Sequence, residues 1–208
     1  MLKWRRLLFI MREKTILQYV LFYEIMGSIW LQTTRRSHRM AERNLKEIVA
    51  TRIEFFKRKP EAAMYKPKVS SKHVRNLYTE TQVRDHLVKS DYGEAAGGDN
   101  QAPNPIELLL SAFAACVEAA FYEFALHEGL TITSLSVDVE GTLDLRGLFM
   151  IDDIAAGFKE VTFVFRIESP DDEGRVRALA EKVISHCPVV DSLKKPTRVA
   201  GEIIITRQ

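Results

Sequence analysis

The feature that most constrains this chain is a run of about 24 residues starting at Pro105 and closed by Gly129, with no Gly and no second Pro inside it. Asn104 before it, with Glu107 three residues later, is a capping-box pair. Pro105 takes the one helical position where a missing N–H costs nothing. The spacing predicts a helix about 36 Å long. Since it is almost wholly apolar as far as Val117, it is expected to run through a core. Ala112, Ala114, Ala115, Ala119 and Ala120 surround Cys116 on this helix, and side chains that small let other backbones come close to the thiol.

Cys116 has one counterpart. Cys187 lies in Ser185-His186-Cys187-Pro188-Val189-Val190-Asp191, and the chain of 208 residues holds two cysteines in all. On their own, two cysteines mean little, because a free Cys often packs as a small hydrophobe. Compartment sharpens the question. The first apolar run is cut by Arg12-Glu13-Lys14, which matches a secretory signal poorly. Ile16 to Leu31 is about 16 residues long, includes Gln18 and Glu24, and falls short of the ~20 residues that span a bilayer. The chain is therefore expected to be cytoplasmic, without a membrane span. Its cysteines would start as thiols, suited to redox or catalytic work more than to a structural disulfide.

Charge divides the chain. Before Met40 there are 8 basic and 2 acidic residues, a balance of +6, so a total of +2 leaves −4 for the rest. An acidic body without zinc-finger spacing or an RNA-stacking signature excludes nucleic acid as the expected partner. Met40-Ala41-Glu42-Arg43 reads as a fresh start, so residues 1–39 are expected to be a basic extension not translated natively; the competing reading is an amphipathic arm. Residues 40–64 then hold an N-terminal helix, Leu45 to Lys59, stopped by Pro60. Residues 65–208 form the main domain.

Within that domain, Val69–Asn76 and Leu77–Ser90 are expected to pair as a hairpin, with Val83, Leu87 and Val88 facing inward. Asp91–Pro103, with its Gly, Asp, Asn and Pro residues, is a loop. Ile132–Leu145 and Phe158–Glu168 alternate like paired strands. Asp171-Asp172-Glu173 opens a helix to about His186 with Val176, Leu179, Val183 and Ile184 on its apolar side, and Val199–Thr206 is the last strand. This order describes an α+β fold, mostly antiparallel sheet around a long central helix.

Together, the Gly97-Gly98-Asp99 and Pro103-Asn104-Pro105 loop, the Glu107-Leu-Leu-Leu run into Ala114-Ala115-Cys116, and His186-Cys187-Pro188-Val189 resemble the OsmC/Ohr family of thiol-dependent hydroperoxide reductases, over about Arg75 to Ile205. The resemblance implies an OsmC-like fold and an intertwined homodimer with two sites near the subunit interface. It implies that Cys116 is the peroxidatic nucleophile, that Cys187 resolves its sulfenic acid as an intramolecular disulfide, and that an external dithiol then reduces this. Relatives commonly use a dihydrolipoyl group on a protein. The substrates implied are organic hydroperoxides, in oxidative stress defence.

The sequence departs from the family pattern at its charged groups. The best-studied relatives carry Glu ten residues before the cysteine, where this chain has Ile106. Glu107 is nine residues away, about 900° round the helix and about 13 Å along it, so it cannot touch its own Cys116 on a straight helix. It is a helix cap, or a catalytic group reaching a site across a dimer interface or through a bent helix start. For the guanidinium that assists the thiolate, Arg84 in Arg84-Asp85-His86 is the first candidate and Arg146 the second. His186 reads as a partner for Cys187 or as an exposed cap, and His86 and His127 as structural. Two cysteines and one adjacent histidine do not make a zinc set, so neither metal nor other cofactor is expected. The alternative function is a non-enzymatic member binding a hydrophobic small molecule, with the thiols as passengers. A thiol redox sensor is a third.

Overall fold

The computed structural model describes residues 44–207; the basic segment 1–39 and the Met40 start lie outside the described residues. The chain divides into two compact units, Met1–Ile48 and Val49–Gln208, and of the first only helical residues 44–48 are described. Helix α1 covers 44–58 and ends before Pro60, which cannot continue the helical ladder.

Strands β1 (Ser70–Arg75), β2 (Tyr78–Val83) and β3 (His86–Ser90) form an antiparallel sheet in the order β1-β2-β3. The expected two-stranded hairpin is thus corrected. The chain turns at Asn76, as expected, and again at Arg84-Asp85, where Arg84 adopts φ +53°. Gln82 fastens that second turn by donating from Nε2 to the carbonyls of Arg84 (2.7 Å) and His86 (3.1 Å). Of the residues expected inward, Val83 is half-buried, while Leu87 and Val88, on opposite faces of β3, stay 49% and 38% exposed among the described residues.

Helix α2 spans Pro105–Glu128, with the full capping box at Asn104 and Glu107 and a left-handed Gly129 closing it. It is the one described helix long and apolar enough to cross a bilayer, yet it packs against β4 (Ser134–Leu143), α4 (Glu173–His186) and α5 (Pro188–Lys194). Phe113, Val117, Phe121 and Ala125 are its buried residues, a stripe at four-residue spacing. The expected run through a core holds along this stripe, which is what the described residues of the single chain bury. Ala112, Ala115, Ala119, Leu109 and Phe124 are exposed.

Strand β5 (Phe158–Glu168) pairs with β4 along nearly its whole length, from Ser134 opposite Glu168 to Leu143 opposite Phe158. One-turn helix α3 (Leu145–Leu148) lies between them. Two buried clusters result. Phe121, Ala125 and Leu130 meet Val176, Leu179, Ala180 and Val183 of α4, with Phe121 edge-on to Phe165 at 5.1 Å. Phe113 and Val117 meet Cys187 and Val190. The expected final strand, Val199–Thr206, does not form: Val199, Ile203, Ile204 and Ile205 are 80–92% exposed. A strand needs an open edge beside it, and this segment pairs with none among the described residues.

Candidate active site

Cys116 sits on α2 one residue before Val117, so the helix presents its thiol at the flank of the buried stripe. Cys187 is the residue between α4 and α5, capping both. The chain must bend there because Pro188 cannot continue α4 but is well placed at the first position of α5. The backbone N–H of Cys187 donates to Ile184 O, and its carbonyl accepts from Asp191 N at 2.9 Å. Cys187 is 1% exposed and Cys116 half-buried.

These two elements bring together thiols 71 positions apart. The S–H of Cys187 donates to Cys116 Sγ at 3.0 Å, and both cysteines are free. Around them stand Phe113, Val117, Val137, Val139, Val161, Phe165, Ile184, Val189 and Val190. Burial, and then the bond from Cys187, pushes the Cys116 thiol up to about 11; the Val189 N–H acts the other way, favouring the thiolate. Among the described residues no cation figures in the groups acting on it.

The charged candidates lie elsewhere in the single chain. Arg84 is exposed in the β2–β3 turn, not within a strand. Arg146 lies on α3, where Nη2 binds Asp144 Oδ2 at 2.7 Å and Nε binds Oδ1 at 3.0 Å, a pairing that raises the Arg146 pKa. Glu107 accepts from Asn104 N at 2.7 Å and works as a cap. His186 is exposed, its Nδ1 lying 2.8 Å from Lys182 O. The Nδ1 of His127 is buried without a hydrogen-bond partner. Among the described residues no group of three or more His, Cys, Asp or Glu could hold a metal ion.

Two contributors escape the sequence reading. One is α5, whose signal is Pro188 followed by Asp191 in the first turn and Lys194 in the last. The other is Asp91, a fully buried carboxylate that accepts from Tyr92 N (2.9 Å), Asp99 N (3.1 Å) and Gln101 N (3.0 Å). It ties down the loop that delivers the chain to the α2 cap. Gly98 is needed there, since a Cβ would stand 2.0 Å from Tyr92 O.

The arrangement defines an α+β protein with a thiol pair held between its central helix and the junction of its last two helices. The chain belongs to the OsmC-like protein family, whose family model matches residues 98–201, half its length. An OsmC-like protein from Mycoplasma pneumoniae shares the fold, at TM-score 0.55 and 21% identity over 62% of this chain and 88% of that one. So does a hypothetical protein from Aquifex aeolicus, at TM-score 0.51 and 13% identity over 63% and 89%. An organic hydroperoxide resistance protein from Legionella pneumophila is 25% identical over 64% and 91%, at TM-score 0.48. No curated protein matches the sequence.

Proposed function

We propose that the protein is a thiol-dependent hydroperoxide reductase acting on organic hydroperoxides in oxidative stress defence. The observation that carries the reading is the 3.0 Å approach of Cys187 to Cys116 inside an apolar shell, in a member of the OsmC-like family. The Cys116 thiolate attacks the distal oxygen of ROOH, the O–O bond breaks, and RO⁻ leaves and takes a proton as ROH. Cys116 becomes a sulfenic acid. The Cys187 sulfur attacks the Cys116 sulfur, the S–O bond breaks, and water leaves as the disulfide forms. An external dithiol, such as a dihydrolipoyl group, supplies two electrons and two protons to restore both thiols.

A thiol held near 11 is a poor nucleophile at neutral pH. The reaction therefore requires a cation beside Cys116 that none of the described residues of the single chain supplies. In a homodimer, Arg84 of a second copy is the first candidate for that cation, and Glu107 would act only from across the same interface. Association also fits the uncovered face of α2 and the exposed Val199–Ile205 segment.

The alternative, a binder of hydrophobic small molecules, has one observation in its favour. An open groove of about 570 Å³ lies over Phe163, Phe165, Ile167, Val176, Ala180 and Ile184, within the usual size of a ligand site. It does not touch either thiol. The two readings separate when reduced protein receives one equivalent of cumene hydroperoxide, is quenched with an alkylating agent and is mapped by mass spectrometry beside Cys187→Ser. A rapid Cys116–Cys187 disulfide, replaced in the variant by sulfenic or sulfinic acid at Cys116, is expected. Two thiols that stay alkylatable would sink the peroxidase reading and bring the binder forward.

A further inference from the structure

Glu118 stands two residues beyond Cys116 on α2. Each residue advances about 100° round a helix, so Cys116 and Glu118 flank Val117 on opposite sides of the buried stripe. One flank meets Cys187. On the other, Glu118 Oε1 accepts from the backbone N–H of Val137, in the middle of β4, at 3.1 Å. This bond fixes the thiol-bearing stretch of α2 to the sheet, and Val137 itself packs against the thiol cluster. Apolar contacts alone leave a helix free to roll about its own axis by small amounts, because dispersion and burial are not directional. A hydrogen bond to a fixed strand N–H is directional. A side-chain atom about 5 Å from the axis moves about 0.9 Å for a 10° roll. That is close to the 1 Å or so by which the two sulfurs, 3.0 Å apart, exceed a disulfide bond.

We propose that Glu118 is a positioning residue for the thiol pair: its bond to Val137 N–H sets the roll of α2 and thereby the effective concentration of Cys116 toward Cys187. The inference deepens the peroxidase reading and rests on it, since it concerns the step in which the two sulfurs join. No contact of Glu118 with substrate is involved. Its carboxylate matters as an acceptor, so an amide oxygen at the same reach serves equally well, and a carboxylate one methylene shorter does not.

The test uses the full chain equilibrated in mixtures of reduced and oxidised dithiothreitol, where two protein thiols exchange two electrons and two protons with the cyclic disulfide. Glu118→Ala is expected to lower the constant for disulfide formation about tenfold, raising the reduction potential by about 30 mV. Glu118→Gln is expected to stay within about twofold of the parent, and Glu118→Asp to follow the alanine variant. The aspartate variant also serves if Glu118→Ala does not fold. A constant unmoved in both the Ala and Asp variants overturns the proposal, as does a Gln variant that shifts like Ala, which would assign the effect to charge. Hydroperoxide plays no part in this equilibrium. A parent protein that equilibrates with dithiothreitol but ignores cumene hydroperoxide therefore sinks the peroxidase reading and leaves the positioning role intact. A parent protein that forms no intramolecular disulfide in these mixtures overturns both.

Discussion

The molecule contains two regions whose sequences look equally apolar and whose fates in the single chain differ. From Phe113 to Val190, β4, β5, α4 and α5 close on one stripe of α2 and leave Phe121, Val117 and Ala125 fully buried. From Val69 to Val88 the sheet β1-β2-β3 leaves Val69, Val74, Leu77, Leu87 and Val88 between 38% and 57% exposed, and Ile203 to Ile205 stand free at the other end of the chain. Periodicity marks which residues must be covered; it does not say by what. In the first region the cover follows within 80 residues of the same chain. In the second no described residue supplies it, and a second copy is the cover that the proposed homodimer would supply.

The largest effect expected tests the closed region. Phe121→Ala removes a ring that is 0% exposed and stacked edge-on against Phe165. It should cost about 3–5 kcal/mol of unfolding free energy. Urea denaturation of the reduced protein measures it, and a loss below about 1 kcal/mol would mean that this cluster is looser than its burial implies.

The open region should respond to association instead of folding. Ile203 is 89% exposed, so Ile203→Asp is expected to change monomer stability by no more than about 0.5 kcal/mol. If a second copy buries the tail, the same change weakens the dimer by at least the ~1.5–3 kcal/mol that a buried Ile contributes. Sedimentation velocity across protein concentration reads the difference. Unchanged association would place the tail outside the interface and remove it as the missing cover.

Legibility follows the same division. The ends of α2 were readable because Asn104, Pro105, Glu107 and Gly129 act through local backbone chemistry, and all four do in the structure what their types predict. Strand β5 and helix α4 were readable from alternation and from acids in the first turn. The turn at Arg84 was not, since it uses neither Gly nor Pro and rests on the Gln82 side chain. The tail reads as a strand because a β-branched apolar run records a strand's need for a neighbour, and none pairs with it among the described residues. The thiols were legible as a pair by family resemblance alone. Their 3.0 Å approach depends on the bend at Pro188 and on short helix α5, seven residues to which the sequence reading assigns no element.

Asp91 joins the two regions, and it does so without apolar packing. Its N–H donates to Pro103 O at 3.2 Å, while its carboxylate holds three loop N–H groups eight to ten residues on and at its own neighbour. Backbone partners leave no side-chain signature, which is why a single Asp after a strand read as an ordinary turn residue. The bonds from Gln101, then those from Tyr92 and Asp99, hold its pKa below the usual 3.8 against the opposing effect of burial, with Arg75 adding a smaller pull. A carboxylate whose folded pKa is depressed contributes stability that is present above the unfolded value and lost as pH falls through the folded one. The loop 91–103 is thus expected to loosen below about pH 3.8. The Phe121 cluster, which contains no titrating group, should hold to lower pH. Amide exchange at Asp99 and Gln101, compared with that of Phe121 between pH 5 and about 3 after correction for the intrinsic rate, measures the order of opening. Asp91→Asn should bring the loosening to neutral pH while leaving exchange at Phe121 unchanged, because a neutral amide accepts more weakly and its NH₂ faces donors. Simultaneous opening of loop and cluster would show that the latch and the core form one cooperative unit, and would erase the distinction between the two regions.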